Sequence, residues 1–224
     1  NGPNKRPHSL MLMEDLVERL EYEQWLFPQT GVDALTGLPT RVQVHELLCQ
    51  QMLGSKQADL RIGLLSIDIY RFKQFNESLG HSTADQLLIA VAGRLKQRLH
   101  SSDHLCRLGG DQFVLLATSQ PDKQAVGELA LTIRDDFSQP FNIEGHTIFV
   151  GLSIGVAVFP DDGLDPVQLF KHADTALYRA KKQGRDRISI FVPELEQQAQ
   201  QRQHLESEFR FALERDELTV HYQP

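Results

Sequence analysis

Two carboxylates stand out by their positions. Asp68 lies at the end of the apolar run Arg61 to Ile69 (RIGLLSIDI), and Asp111 follows the Gly109-Gly110 pair between two strand-like runs. Brought together at one edge of a sheet, such a pair suits a hard cation such as Mg²⁺, with phosphate oxygens completing its shell. Lys181, Arg185 and Arg187, at and beyond the end of the helical stretch Pro166 to Lys182, are placed to supply positive charge to phosphates. Singly, each has an ordinary explanation: an Asp that forms a turn, or basic residues that complement a helix C-terminus. Brought together, they would make a metal-assisted phosphate site.

The elements that must position them follow from periodicity. Arg61 to Ile69 is short, continuous and apolar, as a buried central strand requires. Val44, Leu47, Leu48 and Met52 predict a helix up to Gly54; Phe72 to Leu79 predicts a short one closed by Gly80, and Thr83 to Leu99 a longer one. His104 to Leu108 and Phe113 to Ala117 flank the Gly pair as a β-hairpin with Asp111 at its tip. After a helix from Asp122 to Phe137, a second hairpin turns at Glu144-Gly145, with one long returning strand, Thr147 to Val158. Gly151 and Gly155 within it mark bulges or close backbone contacts. A strand from Ile188 to Phe191 closes the pattern. The hairpins exclude an all-parallel sheet, so the fold class is α/β with a mixed central sheet flanked by helices.

Three segments result: a lead-in over 1–32, whose Ser9 to Phe27 stretch is an amphipathic helix or coiled-coil stalk; a domain over 33–192; and a linker helix with a first strand, Leu218 to Tyr222, over 193–224. The 41% hydrophobic and 24% charged composition excludes disorder of the whole chain, and no apolar stretch approaches the ~20 residues of a membrane span. A net charge of −7 argues against a nucleic-acid backbone binder. Cys49 and Cys106 belong to no metal-ligand spacing and read as buried free thiols of a reducing, cytoplasmic compartment. The Asn-Gly-Pro start predicts a piece of a longer parent, compatible with inner-membrane anchoring elsewhere in that parent.

In order along the chain, DALTGLPTR (Asp33 to Arg41), IDIYRFKQFNESLGHSTADQLL (Ile67 to Leu88), RLGGDQF (Arg107 to Phe113), SIGVA (Ser153 to Ala157) and ADTALYRAKKQGRDR (Ala173 to Arg187) resemble the motifs of the GGDEF family of nucleotidyl cyclases, which condense two GTP molecules into cyclic di-GMP. The resemblance implies the nucleotidyl-cyclase fold. It implies that Asp68, Asp111 and the Ile69 carbonyl hold Mg²⁺ or Mn²⁺, and that Asn76 and Asp85 read the guanine edge. Backbone amides around Arg71, Phe72 and Lys73 would cradle phosphates, Lys181 and Arg185 would hold the terminal phosphate, and Leu35 and Leu38 would wall the base pocket. HLESEFRFALERDELTVHYQP (His204 to Pro224) resembles the start of an EAL domain, the cyclic di-GMP phosphodiesterase that follows GGDEF in composite proteins, and the GGDQF variant with this tail is similar to the BifA-type composites.

The departures carry as much information. Gln112 stands where the family has Glu, exchanging an anionic acceptor for an amide that cannot take a proton. Tyr70 replaces the second Asp of DxD, Ala84 the Gly before Asp85, and Thr40 an Asn. The family's inhibitory RxxD reads His100-Ser101-Ser102-Asp103, without the planar guanidinium, which predicts a degenerate product site. The leading expectation is a GTP-binding regulatory domain with little or no cyclase activity, controlling an attached EAL phosphodiesterase. The alternatives are a non-enzymatic dimerisation scaffold, paired through the lead-in helix or the GGDEF face, and an active Mg²⁺-dependent cyclase, which requires two chains face to face.

Overall fold

The computed structural model describes residues 31–58, 60–184 and 186–197, with 208, 212 and 215 beyond them. The lead-in helix, all of the linker beyond 197 but those three residues, the final strand and Arg185 therefore lie outside the described residues. The chain divides into two compact units, Asn1–Val32 and Asp33–Pro224, and the described fold belongs to the second.

Its elements are α1 (Arg41–Ala58), β1 (Arg61–Ile69), α2 (Phe72–Lys96), β2 (His104–Gly109), β3 (Gln112–Gln120), α3 (Lys123–Asp136), β4 (Phe141–Ile143), β5 (His146–Ile148), β6 (Leu152–Phe159), α4 (Pro166–Lys182) and β7 (Ile188–Ile190). One five-stranded sheet runs in the order β2-β3-β1-β6-β7, and β4 and β5 form a separate ribbon. Every neighbouring pair is antiparallel except β6 with β7. This is the mixed, helix-flanked α/β sheet expected from the sequence.

Strand parity sorts the core into two layers. Leu65, Ile67 and Ile69 of β1 pack with Leu87, Val91 and Leu95 of α2 and with Val126, Ala130 and Ile133 of α3. Ile62 and Leu64 face the other way, onto Val44, Leu48 and Met52 of α1 and Leu169, Ala173 and Ala176 of α4. Because successive strand residues alternate faces, Ser66 and Asp68 share the α1/α4 side. Ser66 donates to Asp174 Oδ1 of α4 at 2.8 Å, in keeping with that parity.

Three local expectations change. The helix α1 continues through Gly54 to Ala58, since nothing beyond Gly54 ends it before the loop to β1. The stretch Thr147 to Val158 is two strands in different sheets: Tyr70 donates its amide to the Gly151 carbonyl at 2.9 Å, and Leu152 donates to Asp186 Oδ1 at 2.9 Å. Those loop bonds take the ladder groups that one continuous strand would need. Cys106 is buried, with burial pushing its thiol up to about 12, whereas Cys49 is only half-buried and lies 3.8 Å from His45 Nδ1. Elsewhere the break expected at Gly80 is present: its backbone (φ 81°, ψ 165°) is non-helical and kinks α2 between the two expected helices.

Helix α4 is capped by the Asp165 carboxylate, which accepts from Gln168 N at 2.9 Å, with Pro166 in the first turn. It lies directly on β6 at Gly155, where a Cβ would fall inside the van der Waals radii of the Leu177 nitrogen and the Ala173 carbonyl oxygen. Gly155→Ala should therefore lower unfolding stability by about 1–3 kcal/mol or more, because the obstruction is backbone. Gly54→Ala, in open space on α1, should raise it by about 0.5–1 kcal/mol. Urea denaturation of the two variants checks both signs.

Candidate functional site

The loop before α1 and the β2–β3 hairpin are joined by one arginine. Arg107 of β2 donates through Nη1 to both oxygens of Asp33, at 2.9 and 3.1 Å, and through Nε and Nη2 to the Gly110 carbonyl, at 3.1 and 2.7 Å. Asp33 also accepts from the Thr36 amide at 2.8 Å and hydroxyl at 2.5 Å. Burial opposes its ionisation, but these hydrogen bonds and the guanidinium charge outweigh it, and the carboxyl sits below its ordinary range. The hairpin tip is thereby fixed immediately before Asp111. Gly109 (φ 128°) and Gly110 (φ 53°) make that turn without Cβ strain.

A cavity of about 260 Å³ opens where β1 ends. It is lined by Asp68, Ile69, Tyr70, Arg71, Phe72, Lys73, Asp111, Ser153 and Lys181. Lys181, in the last turn of α4, forms an ion pair with Asp68, as the parity of β1 requires. Across the sheet Asp68 stands opposite Gln112 of β3 and Ser153 of β6, so the Gln112 side chain shares the Asp68 face. Asp111 has its carboxyl pushed up, first by burial and then by the Asp68 charge, with Lys181 and Arg107 acting the other way.

The residues fit a divalent cation. Burial and the Asp68 charge make ionisation of Asp111 costly, and a positive ion shared by the two carboxylates relieves that cost. Among the described residues no cluster of three or more His, Cys, Asp or Glu side chains forms elsewhere or here, so the pair would rely on a backbone carbonyl and phosphate oxygens for its remaining ligands.

At the start of α2, Arg71 is left-handed (φ 61°, ψ 22°), and no side chain caps the helix. The first-turn segment Arg71 to Lys73 lines the cavity. Asn76 is further along α2, and its Oδ1 is buried without a hydrogen-bond partner, as is Thr40 Oγ1 at the position where the motif carries Asn. A buried acceptor with no donor in the protein has room for one from water or from a ligand. Asp85 is exposed on α2, Leu38 is packed into the core, and Leu35 is partly buried against it. Thus the carboxylates and Lys181 occupy the α1/α4 side of the end of β1, whereas Asn76 and Asp85 ride on the helix covering the opposite side. A ligand touching both must cross that strand end.

At the RxxD position, His100 is exposed and Asp103 is buried with its carboxylate committed internally. It accepts from His100 N at 2.9 Å and from Thr118 N at 2.8 Å. Sequence reasoning missed two contributors. Ser153 is the buried polar residue at the start of an otherwise apolar strand, a signal that was present; the Arg107–Asp33 clamp joins residues 74 apart, and no local pattern announces it.

Arg107→Met should cost about 3–5 kcal/mol in urea unfolding, because it strands a partly buried carboxylate. Asp111→Asn should act oppositely: in the absence of divalent ions at neutral pH it raises the urea midpoint. The sign follows from linkage, since a carboxyl whose folded value is raised binds protons more readily folded than unfolded. Wild-type stability then gains from Asp111 as pH falls through that raised value, a gain absent in the variant. Asp33, held low, contributes above its unfolded value and is lost at lower pH.

The family profile described as "Diguanylate cyclase, GGDEF domain" matches residues 30–187. Among curated relatives, the chain is 38% identical over 192 residues to the bifunctional diguanylate cyclase/cyclic di-GMP phosphodiesterase MucR of Pseudomonas aeruginosa, covering 86% of this chain and 28% of that protein. It is 33% identical over 210 residues to the cyclic di-GMP phosphodiesterase PdeR of Escherichia coli, covering 94% and 31%. The chain thus spans less than a third of the length of these two relatives. Among solved structures, the isolated GGDEF domain of TpbB (YfiN) from Pseudomonas aeruginosa superposes with a TM-score of 0.73 at 30% identity, over 75% of this chain and 99% of that one. The coiled coil and GGDEF domain of DgcB from Caulobacter crescentus, in complex with c-di-GMP, superposes with a TM-score of 0.64 at 26% identity, over 81% and 97%. With the motifs, the sheet order and the profile in agreement, the chain belongs to the GGDEF family of cyclic di-GMP signalling proteins.

Proposed function

We propose that this domain binds GTP with Mg²⁺ as a regulatory ligand and has lost most or all cyclase activity. The observation that carries the reading is Gln112, directly across from Asp68 in the β1–β3 register, beside a cavity that keeps Asp68, Asp111 and Lys181. A general base is worth about 10²–10⁴-fold in rate. An amide at that position neither accepts the 3′-hydroxyl proton nor ligates a cation as a carboxylate does. The binding groups are separate: Asp68, Asp111 and the Ile69 carbonyl would hold the ion, amides near Arg71, Phe72 and Lys73 the phosphates, and Asn76 and Asp85 the base. Arg185 would join Lys181 on the terminal phosphate. Bound there, Mg²⁺ supplies charge neutralisation to the triphosphate. Lys181 then exchanges Asp68 for phosphate oxygens, and the buried Asn76 Oδ1 gains a donor from the guanine.

The output we propose is an attached EAL phosphodiesterase. PdeR carries that activity in its name, and the segment from His204 resembles the start of such a domain. In a longer parent, GTP occupancy would be transmitted through the segment that begins at Pro193.

Calorimetric titration with GTP and Mg²⁺, followed by chromatography of the mixture, tests the reading. Expected are binding tighter than about 1 mM and no cyclic di-GMP, with Gln112→Glu raising product above the background. Absence of binding at millimolar GTP sinks the proposal in favour of a scaffold. Cyclic di-GMP from the unsubstituted protein would make it an active cyclase.

A further inference from the structure

A second cavity, about 570 Å³, lies beside the first and shares two wall residues with it, Tyr70 and Arg71. It is bounded by the first half of α2, the segment just after α3 and the connection between β5 and β6. Gln74, Phe75 and Ser78 reach it from a helix face roughly 150° around α2 from Asn76, at about 100° per residue. It is therefore on the other side of that helix from the residue proposed to read guanine.

Its chemistry is aromatic with one cation. Tyr70, Phe75, Phe137 and Phe149 contribute rings, and Phe149 is 67% exposed, a large apolar surface left at the rim. The Arg71 guanidinium lies 4.8 Å from the Tyr70 ring centroid, and no carboxylate pairs with it among the described residues. The one carboxylate in the wall, Asp186, uses Oδ1 to accept from Leu152 N–H. Tyr70 stands where the family motif has Asp, so this chain has put a ring where a second carboxylate would repel an anion.

The walls are held before any ligand arrives. Tyr70 N–H is bonded to the Gly151 carbonyl. Arg94 donates to the carbonyls of Gln139 at 2.5 Å and Pro140 at 3.0 Å while lying 3.4 Å from the Phe141 ring centroid, which fixes the chain just after Phe137 and Ser138. A preformed concavity of this size is the usual form of a small-molecule site. Flat rings favour offset or edge contacts with a flat ligand, and an unpaired guanidinium favours an acid.

We propose that this cavity is a second ligand site, for a planar aromatic molecule bearing an acidic group, with the acid at Arg71 and the ring between Phe75 and Phe149. Through Tyr70 and Arg71 its occupant touches the wall of the nucleotide cavity.

The probe is 8-anilinonaphthalene-1-sulfonate, an aromatic anion with a flat naphthalene ring, titrated by fluorescence into the folded protein. Saturable one-to-one binding is expected. Phe149→Ser, at an exposed side chain that contributes little to the core, should weaken it about tenfold or more, and Ser138→Trp, which fills the cavity, should abolish it; neither residue lines the nucleotide cavity. Leu131→Ser removes a comparably exposed apolar side chain from α3 and should leave dye binding unchanged. Equal affinity in wild type, Phe149→Ser and Ser138→Trp overturns the proposal, as does non-saturable binding that Leu131→Ser weakens equally.

Discussion

The Arg107–Asp33 ion pair is the contact on which the site depends. Asp33 belongs to the loop leading into α1, and Arg107 to the strand that enters the Gly-Gly turn. By spending its remaining donors on the Gly110 carbonyl, Arg107 fixes the turn one residue before Asp111. Asp111 is thereby held near Asp68 although burial and like charge both disfavour its ionisation. The motif residues at 33 and 107 thus act at a distance from any ligand: they maintain an unfavourable juxtaposition of carboxylates, which is what a cation site requires.

Helix α4 is the second constraint. Its backbone rests on Gly155 with no room for a side chain, so its rotation and height above the sheet are set by contact rather than by adaptable packing. One end delivers Lys181 to Asp68. Near the other, His172 contacts the Asp162 carbonyl and stacks on Phe191 at a centroid distance of 4.0 Å, while Lys171 pairs with Glu196 at 2.6 Å. Lys123 bonds Asp162 and the Phe191 carbonyl, and Leu195 is buried against the same layer. The chain leaves β7 under firm anchorage. One helix therefore joins the Asp68 end of the cavity to the point from which the chain proceeds toward its C-terminus.

The substitutions in the motifs fall unequally across the site. Gln112 puts an amide on the Asp68 face of the sheet where the family motif has a carboxylate, and Thr40 leaves an orphaned hydroxyl in place of an amide. Tyr70, where the motif has Asp, lies in the wall that two cavities share with Arg71. Asp68, Asp111, Lys181 and Asn76 are untouched by these changes. The departures thus change the residue opposite Asp68 and leave the charged groups of the cavity in place.

Much of this was legible in the amino-acid order because it is governed by short-range rules. The apolar run of β1 matches its strand residue for residue, the Gly109-Gly110 pair turns as such pairs do, and Gly80 interrupts α2 where the pattern breaks. Gln112 and the degenerate His100 needed no structure to be noticed. Other features depended on which elements become neighbours. The run from Thr147 to Val158 reads as one strand, yet its halves join different sheets because Gly151 and Leu152 bond to loop partners. Lys181 meets Asp68 across 113 residues only because β1 alternates faces and α4 packs on the face that Asp68 takes. Periodicity and turn chemistry, which act over a few residues, therefore determined the elements and the candidate chemistry; sheet order and helix packing, which act between residues distant in the chain, decided which charges pair, which acceptor is left without a donor and where a second cavity opens.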